Sequence, residues 1–160
     1  MSNMMVLLNG TPGGTDGTEL SGDITLKNIL NSYGLAGTRD SQPSYGTVGI
    51  VVPICIRMKD GYTASSINIT AKGTSNMIVG TYTYWSNPDV YLFTSYPTSA
   101  PEYPNFTTNS SSYTFSCNPT SIQTNKNYMF LLYITLKKNQ TSIPANTPLC
   151  QISYQENKVS

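Results

Sequence analysis

The chain is 160 residues long, the size of one ordinary domain, which can bury roughly two thirds of the surface its unfolded chain would expose. Only 11% of its residues are charged and the formal net charge is +1, so no electrostatic footprint exists for a nucleic-acid backbone, while the plentiful β-branched and aromatic residues argue against disorder. It has no histidine, which removes the commonest general base, the usual partner of a serine or cysteine nucleophile, and the commonest metal ligand.

The chain opens with a short apolar run, Met4, Met5, Val6, Leu7 and Leu8, without the basic leader, longer apolar core or cleavage site of a signal peptide. Residues 9–23 follow with five glycines and a proline, a composition in which neither helix nor strand propagates. Together, 1–23 read as an extended N-terminal arm. The arm reads either as a disordered leader or as a segment that orders across a neighbouring subunit, and the apolar run Met4 to Leu8, which needs something to pair with, favours the second.

Residues 24–160 read as one β-sandwich domain that begins with a short helix near 25–33. The helix signal is Asp23 as cap, Leu26, Ile29, Leu30 and Tyr33 at helical spacing, and Gly34 as the stop. From Thr47 the period changes to two. In 48–58, Val48, Ile50, Val52, Ile54, Ile56 and Met58 share a face, but Val51 and Cys55 on the other face are also apolar, which predicts cover on both sides. Pro53 cannot donate a ladder hydrogen bond, which predicts an edge position or a bulge. Asp60-Gly61 signals a hairpin turn into 62–71, where Ile67, Ile69 and Ala71 alternate with polar residues.

Further strands are expected at 76–85, 89–95, 112–117, 127–137 and 148–155. The clearest is 127–137, with Tyr128, Phe130, Leu132, Ile134 and Leu136 on one face and Met129, Leu131 and Tyr133 on the other, a central-strand pattern. Short strands with turn-rich connections predict an all-β fold, a β-sandwich of jelly-roll or immunoglobulin-like type. No stretch approaches the roughly 18 apolar residues of a membrane-spanning helix, so no membrane partner is expected.

Little chemistry is on offer. Cys55, Cys117 and Cys150 are an odd, widely spaced set that suits buried thiols better than a disulfide framework or a zinc site. Nearly all of the eight acidic residues, Asp16, Glu19, Asp23, Asp40, Asp60, Asp89, Glu102 and Glu156, sit in turns or in the arm, where a solvated role outweighs a glycosidase pair. Asp16, Glu19 and Asp23 lack the alternating ligands of a calcium loop, and the Gly-rich stretch 10–17 lacks the Gly-Lys-Ser/Thr ending of a phosphate cradle. No enzyme activity, metal or cofactor is expected. The five Asn-X-Ser/Thr triplets, at Asn9, Asn68, Asn105, Asn109 and Asn139, arise by chance in a chain so rich in Ser and Thr.

The candidate binding surface lies in 82–113, where Tyr82, Tyr84, Trp85, Tyr91, Tyr96, Tyr103 and Phe106 are interleaved with Ser, Thr, Asn and proline. Rigid aromatic rings beside small polar groups are the palette of adaptable binding surfaces. The competing structural reading makes several of these rings core residues and 96–111 a proline-stiffened loop.

The 4–23 arm, the helix near 25–33 and the Ser/Thr/Asn/Tyr-rich β domain after 47 resemble, in general character, tailed-phage virion accessory proteins: capsid decoration, head-fibre or tail-tip β domains. The resemblance implies a non-enzymatic virion structural protein, assembled in the host cytoplasm, anchored through its arm to other virion proteins or to copies of itself. A carbohydrate- or ligand-binding module of a cell-surface protein, with Trp85 and nearby tyrosines stacking on a host surface glycan, is the alternative.

Overall fold

The structure, a computed structural model, describes residues 3–20, 24–25, 28–29, 50–72, 77–81, 90–96, 112–136 and 147–159. Its elements are β1 (Met4–Leu8), β2 (Thr18–Glu19), β3 (Ile24–Thr25), β4 (Ile50–Met58), β5 (Tyr62–Lys72), β6 (Met77–Thr81), β7 (Val90–Tyr91), β8 (Ser112–Asn118), β9 (Ser121–Ile122), β10 (Tyr128–Leu136) and β11 (Pro148–Lys158). They form two antiparallel sheets packed as a sandwich. Sheet one has the order β2-β1-β4-β10-β6, and sheet two β3-β11-β5-β8-β7, with β9 also pairing with β5. Among the described strands, the short β7 alone runs parallel to its neighbour, β8.

Period-two burial builds the core between the sheets. Val52, Ile54, Ile56 and Met58 of β4 and Phe130, Leu132 and Ile134 of β10 meet Ile67, Ile69, Ala71 and Phe115 of sheet two, all buried. Phe130 is wholly buried, and rings of this size dominate core energetics. The opposite faces of β4 and β10 carry Cys55, Met129 and Leu131, also buried, in a second cluster with Leu7. The two-faced pattern of 127–137 thus corresponds to a strand paired on both sides, with β4 and with β6.

Four expectations need correction. Pro53 lies not in an edge strand but in β4, between β1 and β10. Phe93 hydrogen-bonds both ways with the Met129 backbone from the far side of β10, so the opposed pair Met129 and Cys55 turn their peptide groups away from each other. By alternation Pro53 directs its nitrogen towards β1, just past that strand's last pair, Leu8 with Ile54, where no ladder bond is lost.

Second, Asp60-Gly61 turns tightly, with Tyr62 N donating to Lys59 O at 3.1 Å and Gly61 at φ 87°, but it does not close a hairpin. Both edges of β4 are occupied, so the turn carries the chain from sheet one to sheet two. Third, Thr25 belongs to β3 rather than to a helix. Its Oγ1 accepts from Asn28 N at 3.3 Å, the geometry of a helix cap, and Asn28 and Ile29 are helical; Asp23 and the rest of the expected helix lie outside the described residues. Fourth, Met4–Leu8 is not an arm in this structure. It pairs residue by residue with β4, from Met4 opposite Met58 to Leu8 opposite Ile54, and Leu7 and Leu8 are buried in their own chain.

Candidate functional site

The Gly-rich segment after β1 folds back as a hairpin. Leu8 pairs with Thr18 and Leu7 with Glu19, so residues 9–17 form a closed loop over the outer face of sheet one. Beneath it runs a row of directly opposed residues, Leu7, Cys55, Met129 and Phe93, from four adjacent segments. Gly10 and Gly17 bring the loop down onto this row: a Cβ on Gly10 would stand 3.1 Å from Cys55 Sγ, and one on Gly17 3.1 Å from Leu7 Cβ. At Gly13, with φ 82°, a Cβ would lie 2.5 Å from Thr94 O, so only glycine fits.

Asn127, wholly buried at the start of β10, holds the loop in place. Its backbone exchanges two hydrogen bonds with the loop, Gly13 N to Asn127 O at 2.9 Å and Asn127 N to Gly14 O at 2.8 Å. Its Nδ2 donates to Thr11 O at 3.0 Å and to Asp16 O at 2.9 Å, and its Oδ1 accepts from Arg57 Nη1 at 2.9 Å. The same Arg57 nitrogen donates to Asp16 O at 3.1 Å. The Asp16 carboxylate accepts from Thr11 N and Thr11 Oγ1, both at 2.7 Å. Those two bonds, the backbone one first, hold its pKa below the ordinary 3.8 against a small opposing effect of desolvation.

This network links polar atoms to one another, so its chemistry is that of a clasp that fixes a loop. Neither Cys55, which lies beside it, nor Cys150 in sheet two is a nucleophile at neutral pH. Burial, with a smaller contribution from Asp16, pushes Cys55 up to about 11, and burial alone pushes Cys150 up to about 12. All three cysteines are buried and outside any disulfide, as the sequence predicts. Among the described residues, no cluster of three or more potential metal ligands occurs.

The aromatic stretch is only partly placed. Tyr91 and Phe93 stack with centroids 5.9 Å apart and pack, half-buried, against the Leu7, Cys55, Met129 and Leu131 cluster, so both contribute to a core. Tyr96 is 62% exposed, the most exposed large ring among the described residues. Tyr82, Tyr84, Trp85, Tyr103 and Phe106 lie outside the described residues. The five expected arm residues are brought together in β1, with Met4, Leu7 and Leu8 buried and Met5 and Val6 half-buried.

The outer face of sheet two contrasts with that of sheet one. Two cross-strand rows, Gln151-Thr70-Thr114 and Ser153-Asn68-Ser116, span β11, β5 and β8. Gln151, Ser153, Thr114 and Ser116 are exposed, and Thr70 and Thr114 hydroxyls lie 3.4 Å apart. These rows are rich in hydroxyls and amides and contain no charged residue. Sequence reading missed this face, although its signal was present as the polar half of each alternation.

The chain matches no protein-family model, no curated protein and no solved structure. Function must be argued from its own geometry.

Proposed function

We propose that this chain is a non-enzymatic structural protein of a virus particle, a jelly-roll domain that works by lying against copies of itself or other virion proteins. The observation that carries the reading is a folded two-stranded ribbon. The β4–β10 ladder and the β5–β8 ladder belong to the same antiparallel pair of chain segments: the thirteen residues from Ile56 to Asn68 are matched by the thirteen from Tyr128 back to Ser116. The ribbon bends between the sheets at a corner where Asn125 N donates to Met58 O and Thr124 Oγ1 to Lys59 O.

With β1, β4, β5, β6, β7, β8, β10 and β11 taken as first to eighth, the sheets contain second-seventh-fourth and eighth-third-sixth in order. Such interleaving is what a ribbon rolled into two sheets produces, and it is common to capsid and lectin domains. Two departures are that the first strand pairs with the second rather than with the eighth, and that the fifth lies parallel to the sixth rather than beside the fourth. A fold hosts many functions, so the surface must carry the rest. With β1 built into sheet one, the contact surface that this reading needs is the outer face of sheet two, where the two polar rows carry no charged side chain and Lys72 lies at one end of β5.

The test is native mass as a function of concentration for the full chain and for a Ser116→Lys, Ser153→Lys variant. Self-assembly that the paired lysines abolish, with circular dichroism unchanged, supports the reading. A wild-type chain that stays monomeric, or a variant that assembles as well, overturns it. Tyr96 favours a second reading, in which the domain docks a host surface glycan by stacking. Saturable glycan binding lost in Tyr96→Ala would carry that reading instead.

A further inference from the structure

The sequence contains one Asn-Gly pair, Asn9-Gly10, and the fold places it where β1 enters the clasped loop. Asn9 is exposed and holds a left-handed backbone at φ 59°. Among the described residues, no hydrogen bond engages the Gly10 N–H or the Asn9 carboxamide, whereas Gly10 O accepts from Cys55 Sγ at 3.6 Å. The nucleophile and the electrophile of a five-membered ring closure thus sit on neighbouring residues, neither held by a hydrogen bond, and Gly10 has no side chain to obstruct the approach. Asn127 makes the contrast: its carboxamide is buried, bonded at both ends and followed by Tyr128.

We propose that Asn9-Gly10 is a self-modification site, converting through a succinimide to a mixture of aspartate and isoaspartate, and that the conversion loosens the loop. Solvent base removes the Gly10 N–H proton and the nitrogen attacks Asn9 Cγ. The Cγ–NH2 bond breaks and ammonia leaves with the proton. Water then opens either carbonyl of the ring, so the net change is amide and water to carboxylic acid and ammonia. Opening towards isoaspartate inserts the side-chain methylene into the backbone beside Gly10. That glycine has no room to move, since even a Cβ would stand 3.0 Å from Asn127 Nδ2 and 3.2 Å from Asp16 O. Either product adds a carboxylate at the mouth of a loop that already holds the Asp16 carboxylate.

The experiment ages the full folded chain in mildly alkaline buffer and follows every asparagine by peptide mass spectrometry with isoaspartate detection. Asn9 is expected to convert about tenfold or more faster than the Asn-Ser pairs at 31 and 109, a difference worth about 1.4 kcal/mol in barrier. Conversion of Asn9 no faster than at those pairs overturns the site. The aged wild type is expected to melt lower than the fresh protein, while Asn9→Gly, which suits the positive φ and has no carboxamide, keeps its melting temperature on ageing. Full conversion with no change in melting overturns the link to the loop.

Discussion

Replacing Asn127 by alanine removes the side chain that ties three chain segments together. Two neutral bonds are lost, to Thr11 O and Asp16 O, each with a net value of about 1 kcal/mol, and one bond from the Arg57 guanidinium with a value of about 1.5–3 kcal/mol. Those figures total about 4 kcal/mol. Thr11 and Asp16 are exposed, so water reaches part of what is left behind and lowers the loss to about 3 kcal/mol. The backbone bonds to Gly13 and Gly14 do not need the side chain and persist. For a chain of this length such a loss lowers the melting temperature by roughly 6–12 °C. Urea unfolding checks the global figure, and amide exchange at Thr11 and Gly13 checks that the loop opens first. A variant within about 0.5 kcal/mol of the wild type would show that Asn127 is a passive filler and refute the clasp.

Asp16 should make the clasp acid-labile. Its folded-state pKa is below the ordinary 3.8, so its contribution is complete above that value and vanishes as pH falls through the lower folded-state value; Asp16→Asn should flatten this acid limb in a pH series of melting curves. Gly13→Ala should destabilise by more than the roughly 1–2 kcal/mol of a left-handed alanine, because the added carbon also meets the Thr94 carbonyl; thermal unfolding measures it. Cys55 and Cys150 should resist alkylation at neutral pH in the folded state and label rapidly in urea, since burial keeps both protonated; equal rates in the two states would contradict the burial.

Much of the sandwich was legible because side-chain alternation is a local signal. The two faces of β10 separate in the structure as they do in the sequence, Phe130 and Leu132 into one cluster and Met129 and Leu131 into the other. What could not be read depends on distant partners. Nothing within residues 9–17 says that Asn127, more than a hundred positions away, will receive them, so a glycine-rich stretch looks like a tether. Pro53 signals an edge only while the length of the neighbouring strand is unknown. The irregularity in β5 did leave a trace. Ser66 takes a left-handed φ of 52°, and the buried positions step from Ala64 to Ile67, a break in the period of two that marks a bulge opposite Tyr154.

The placement of β11 governs when this protein can fold. It lies between β3 and β5, and its register with β5 runs from Cys150 opposite Ala71 to Lys158 opposite Tyr62. During synthesis, β5 therefore emerges from the ribosome with a hydrogen-bonding edge that waits until β11 has been made. Closure by such remote pairing is slow, and the waiting edge is an aggregation hazard that a chaperone could shield. The outer face that β11 shares with β5 and β8 is thus complete only after translation has passed Lys158.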